Sequence, residues 1–305
     1  MKPEIARTII RKCLGHKKGE SLLIVCDQKT KAIGEYFYRR ASKDGIECAL
    51  INFCCGLMHG QEPPNAIAQA LRAVDIALLL TSSSLSHTRA RKTASSLGAR
   101  IASLPGISES VLNRSILLDY PALKKKVDQL ARRLSRGKRL EVYSQQGTRL
   151  SMSIRGRKGF SDHGLYTRKG QFGNLPAGEA CIGPCEGTTD GSLIIDASAP
   201  LVGRIKTPKR LKIKKGKVQN MPFARIASMI KPLGPAALNV AELGIGLNPK
   251  AKVSGNILED EKVKGTAHLA IGNNISFGGM VSCPCHLDFV FFNPVILIDG
   301  KRIAL

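Results

Sequence analysis

Short apolar runs that alternate with amphipathic stretches constrain the start of this chain more than any other feature. Residues 21–26 (Ser-Leu-Leu-Ile-Val-Cys) are an almost unbroken apolar run, residues 31–41 repeat apolar positions at helical spacing, and residues 46–53 turn apolar again. The pattern continues with a helix expected over 65–73, a strand over 75–80, a helix over 88–97 and a strand over 100–104. Strands buried on both faces read as continuous hydrophobic runs, and helices between consecutive strands let those strands lie parallel. The expected product is a Rossmann-like parallel sheet covered on both faces. After the first strand stands Asp27-Gln28-Lys29-Thr30, not a Gly-x-Gly-x-x-Gly loop, so the phosphate cradle of a dinucleotide site is missing.

Residues 119–136 read as a long basic helix, stopped at Arg136-Gly137-Lys138. Beyond it the period drops to two. Residues 139–144 and 149–154 flank Gln145-Gln146-Gly147-Thr148 as a β-hairpin, and 192–195, 210–213, 268–271 and 287–292 read as further strands, with one helix over 224–229. The chain is therefore expected to be α/β over residues 1–137 and a β-rich α+β domain over 138–305.

The formal net charge of +24 in 305 residues attracts acidic partners without specifying a fold. No Asp or Glu occurs between Asp196 and Glu242, whereas Arg204, Lys206, Lys209, Arg210, Lys212, Lys214, Lys215 and Lys217 crowd together, implying a basic strand or hairpin. Without interleaved aromatics this favours non-specific nucleic-acid contact or plain solvated surface over sequence-reading. The first residues, Met-Lys-Pro-Glu-Ile-Ala-Arg, do not read as a signal peptide. Residues 289–298, the most apolar stretch, fall well short of the roughly 20 needed to span a bilayer. A cytoplasmic protein is expected. Its nine cysteines would stay reduced, and neither Cys181 with Cys185 nor Cys283-Pro284-Cys285-His286 has the paired spacing of a structural zinc site.

The second half sets polar residues inside apolar or glycine-rich sequence, where a solvated charge is out of place. Glu179 ends Asn174-Leu-Pro-Ala-Gly-Glu; Glu242 lies in Val-Ala-Glu-Leu-Gly-Ile-Gly; His268 lies in Gly265-Thr-Ala-His-Leu-Ala-Ile-Gly; His286 and Asp288 open His-Leu-Asp-Phe-Val-Phe-Phe. In a strand, positions 286 and 288 share one face. Imidazoles and carboxylates are the donors that bind Zn, Mn, Co or Fe(II). Each residue taken alone also suits a hydrogen-bonded core polar group; five together favour a divalent-metal site. Asp162-His163-Gly164 is a weaker candidate to line it.

These motifs, in this order, resemble the metal-dependent aminopeptidases of the aminopeptidase T and aminopeptidase S (leucyl aminopeptidase) type. That resemblance covers roughly residues 160–295 and rests on Asn-x-Pro-x-x-Glu at 174–179, Glu242, Gly-x-x-His-x-Ala-x-Gly at 265–272 and His-x-Asp at 286–288. It implies two metal ions (Zn, Co or Mn) on Glu179, Glu242, His268, His286 and Asp288, a peptide substrate cut at its N-terminus, and a homodimer. Two positions depart from it: Gly178 stands where the peptidases carry a second Glu, which puts the general base in doubt, and Ile275 where they carry a Tyr, which removes a candidate metal or transition-state partner. The chain also resembles the ring-opening dioxygenases for 2,5-dihydroxypyridine, which would need one Fe(II) on His268, His286 and Asp288. Because both glutamates are present, a two-metal hydrolase is the expectation, with the dioxygenase as the alternative and a non-catalytic basic nucleic-acid-binding protein as the third reading.

Overall fold

A computed structural model describes residues 1–304 except 55, 57 and 58; residue 305, the last of the expected second domain, lies outside the described residues. The apolar runs near the start do pair as a parallel sheet, in the order Cys48–Phe53, Leu22–Asp27, Ile76–Leu80, Arg100–Ser103, Phe172–Asn174. Its odd and even residues feed different cores. Leu22, Ile24, Cys26, Ile76 and Leu78 pack with Phe37 and Ala41 of the helix Lys31–Lys43. Leu23, Val25, Ala77 and Leu79 pack with Ile67 and Leu71 of Asn65–Arg72 and with Ala90 and Ala94 of Arg89–Ser96. Burial on both sides is why these strands carry no polar alternation. The fifth strand, Phe172–Asn174, comes from much later in the chain. The first compact unit is thus Met1–Tyr120 together with Gly164–Ala177, and the second is Pro121–His163 together with Gly178–Leu305.

Among the described residues the second unit holds two antiparallel seven-stranded sheets. One contains the expected hairpin, Arg139–Tyr143 with Arg149–Ser153, and continues through Asp190–Ile195 to Lys209–Lys214 and Lys217–Val218. On Lys209–Lys214 only Leu211 and Ile213 are buried, so the crowded basic side chains of that strand project into solvent. Leu123, Val127, Leu130, Ala131 and Leu134 form the buried stripe of the helix Tyr120–Arg136, at spacings of three and four. Among the described residues no helix is long and apolar enough to cross a membrane.

The other sheet carries the candidate site. Its order is Gly203–Arg204, Ser198–Ala199, His286–Phe292, Thr266–Gly272, Val240–Gly246, Glu179–Ile182, Phe160–Asp162. The strands around Glu242 and Glu179 were not apparent in the sequence. Val240–Gly246 is buried throughout, so no alternation marks it, and Glu179–Ile182 is only four residues long.

Candidate metal centre

Strand register brings the five predicted residues to one face of this sheet. Ala270 pairs with Asp288 on one side and Glu242 on the other, so these three positions form one row. In the neighbouring row His268 lies opposite Gly244 and Val290. His286 pairs with Gly272, and Glu179 with Gly246. Of the glycine partners, Gly244 is kept small by a site side chain, whereas Gly246 and Gly272 are closed by the backbone of Val263 and Cys285. A Cβ at Gly244 would sit 2.0 Å from His268 Cε1, so the imidazole lies directly over this glycine.

The side chains converge on the imidazole nitrogens. His286 Nε2 lies 3.0 Å from Glu242 Oε2 and 3.2 Å from Asp288 Oδ1. His268 Nε2 lies 3.7 Å from Glu242 Oε1, 3.8 Å from Glu179 Oε2 and 3.9 Å from Asp288 Oδ1. His286 Nδ1 is 2.9 Å from the Asn273 carbonyl; donating there leaves Nε2 of the neutral ring as the inward lone pair. Phe277 stacks on the His286 ring at 5.3 Å, and its loop is tied down by Glu186, which accepts from Met280 N and Asn274 Nδ2 at 2.9 and 2.8 Å. Two buried atoms, Glu179 Oε2 and His268 Nδ1, have no hydrogen-bond partner among the described residues.

Three carboxylates around one imidazole nitrogen repel one another unless a cation lies between them. In the bare protein that cation is the proton. Burial opposes the charge on His268, yet Glu242, Glu179 and Asp288 raise its pKa to about 9. Burial likewise opposes the charge on His286, and Asp288 and Glu242 raise its pKa well above the ordinary histidine value. Burial would raise Glu242, but the two imidazoles hold it below the usual carboxylate range; Asp288 is lowered in the same way by His286 and His268. Glu179 goes the other way, pushed up by burial against the pull of Lys262.

Sequence reasoning missed Lys262 and Glu261. The Lys262 side chain is 1% exposed, and its ammonium contacts Glu179 Oε1, Glu261 Oε1 at 2.8 Å and Asp162 Oδ2 at 3.4 Å. Burial pushes Glu261 up to about 8 against the attraction of Lys262. Ligand atoms of Glu242, His286 and Asp288 lie within 4.8 Å of one another, as do those of Glu261, His268 and Asp288, and those of Glu179, Cys181 and Glu242. In Glu259-Asp260-Glu261-Lys262, four successive charges look like a solvated turn. Instead, Glu259 and Asp260 are fully buried and accept from Lys252 N, Ser254 N and Gly255 N. The signal available in the sequence was its place between Asn256, a residue type that caps helices, and the apolar run that follows Gly265.

Comparison with known proteins bears on the reaction. The family described as 2,5-dihydroxypyridine 5,6-dioxygenase (NicX) matches residues 56–305. A curated 2,5-dihydroxypyridine 5,6-dioxygenase of Pseudomonas putida KT2440 is 24% identical over 189 residues, covering 56% of this chain and 54% of the relative, so that match spans about half the relative's length. Two solved structures share the fold. The 2,5-dihydroxypyridine dioxygenase from Pseudomonas putida KT2440 superposes with a TM-score of 0.84 at 18% identity over 100% of this chain and 96% of that one. AmpT from Thermus thermophilus does so at 0.70 and 15% identity, over 99% and 96%.

The family match overturns the expectation of a zinc-type peptide hydrolase; the aminopeptidase resemblance was one of fold. At Gly178 the backbone also departs from what the peptidase glutamate would need. Its φ is +124°, and a Cβ there would lie 2.9 Å from Asn248 Cβ and 3.0 Å from Asn248 N. The Gly178 N–H donates to the Asp162 carbonyl, and its own carbonyl accepts from Leu247 N at 2.7 Å. A glutamate there would strain the backbone and crowd Asn248, and Ile275, in place of the expected Tyr, is half-exposed.

Proposed function

Because this chain belongs to the 2,5-dihydroxypyridine 5,6-dioxygenase family, we propose that it opens the ring of a dihydroxylated pyridine with molecular oxygen, using one Fe(II). The family match over residues 56–305 carries the reaction class. The donor set supports the metal. His268, His286 and Asp288 supply two imidazoles and one carboxylate, the set that holds non-haem Fe(II) with positions left open. Bound there, the iron supplies the one-electron chemistry that lets oxygen react with an aromatic ring. The crowding of Glu179, Glu242 and Asp288 around His268 Nε2 is the kind of negative site a divalent ion relieves.

The remaining roles follow from the positions of the side chains. Asn273, through its carbonyl, fixes the tautomer and tilt of His286. Phe277 shields the His286 ring from water on its stacked face. Glu242 holds the His286 side of the cluster negative, which favours a cation over a proton-free void. Glu179 Oε2 accepts no hydrogen bond among the described residues, and with the Glu179 carboxyl raised by burial it is the oxygen suited to accept a hydroxyl proton from the substrate.

Anaerobic loading with Fe(II), followed by oxygen-electrode measurement with 2,5-dihydroxypyridine, tests the reading. Oxygen uptake matching substrate loss, and its disappearance in His286→Ala and Asp288→Ala, are the expected results. An iron-loaded chain that takes up no oxygen with this substrate would refute it.

A further inference from the structure

Two parts of the buried cluster share Glu179. On one side its Oε2 faces His268 Nε2 at 3.8 Å, within the group proposed to hold metal. On the other its Oε1 receives the Lys262 ammonium, which also contacts Glu261 and Asp162. That ammonium is fixed from both ends. The Lys262 carbonyl accepts from Asn248 N at 2.8 Å, and the backbone at 262–263 runs so close to Gly246 that a Cβ there would lie 2.1 Å from Val263 O. Gly246 pairs with Glu179 across the sheet, so the lysine is delivered to Glu179 by the strand pairing itself.

Resting on the single-iron reading above, we propose that Lys262 is a built-in cation that limits the centre to one divalent ion. Without its ammonium, Asp162, Glu179 and Glu261 would form a second site. A lysine among three carboxylates supplies the positive charge that these oxygens require in a buried setting. A dication brought to the same oxygens would face the ammonium within a few ångströms. With the ammonium gone, the oxygens offer an all-carboxylate donor set that suits a hard divalent cation such as Mn(II).

The test uses the full chain, stripped with chelator, reloaded with Mn(II), desalted and assayed for bound metal. Wild type is expected to retain about one equivalent and Lys262→Met about two, with the second lost again in Lys262→Met/Glu179→Gln. Lys262→Met is also expected to melt at a lower temperature without metal and to recover with Mn(II), because an uncompensated carboxylate cluster is stabilised by the ion it binds. A folded Lys262→Met chain that binds only about one equivalent overturns the proposal, and so does a chain that stays unfolded in excess Mn(II). A wild-type protein that binds two ions overturns it as well, whatever it does with oxygen. One bound ion without oxygen uptake defeats the proposed reaction and leaves the role of Lys262 standing.

Discussion

The imidazole of His268 lies over Gly244, with the space for a Cβ closed to 2.0 Å. Gly244→Ala would therefore push the ring, not the backbone, since both strands are paired on each side. Overpacking of this kind costs about 1–3 kcal/mol. The expected outcome is a folded, less stable protein whose divalent-metal affinity drops by roughly 10-fold or more. Calorimetric titration with Mn(II) alongside a thermal melt checks both parts; an unchanged affinity would mean that His268 is not a ligand.

Phe277 positions His286 by stacking and donates nothing to a metal. In Phe277→Ala the ring loses that support while its bond to Asn273 remains. Metal affinity should fall by about 10-fold, in the range typical of groups that orient ligands. Iron content after dialysis reports the loss, and Phe277→Tyr should restore it. Equal metal retention in all three proteins would show that the stack is incidental.

Metal binding should release protons. In the metal-free chain His268 is raised to about 9 and His286 well above its ordinary value, so both are imidazolium at neutral pH and must deprotonate before ligating. Apparent affinity therefore rises with pH through the about 9 at which His268 loses its proton and falls as pH drops below it, by roughly one to two decades per pH unit. Calorimetry in two buffers of different ionisation heat measures the protons released; a flat pH profile would contradict the geometry.

Installing the peptidase glutamate at residue 178 should not produce a peptidase. Gly178→Glu meets both a positive φ and the Asn248 contact. A loss of roughly 2 kcal/mol or more is expected, with no release of amino acids from unblocked peptides. Urea unfolding gives the first quantity and a peptide digest the second.

Much of the candidate centre was legible. Glu242 and His268 stand out as charged or titratable residues in runs too apolar for a solvated surface, and His286 with Asp288 show the i, i+2 spacing of one strand face. The choice of reaction was not legible in the same way. Both glutamates are present, which points to a second metal when read as a motif, but Glu179 spends one of its oxygens on Lys262. That lysine sits in a run of four charges whose burial no periodicity announces.

By itself, the sequence determined the parallel sheet at the start, the β-rich remainder and the donor types of the site, because apolar periodicity and donor chemistry are local properties of a chain. Tertiary structure alone decided that residues 172–174 return to the first sheet, that His268 rests on Gly244, and that Lys262 reaches Glu179. Those relationships depend on strand register and on close backbone approach between segments far apart in the chain, and a shift of one residue would turn each side chain to the opposite face.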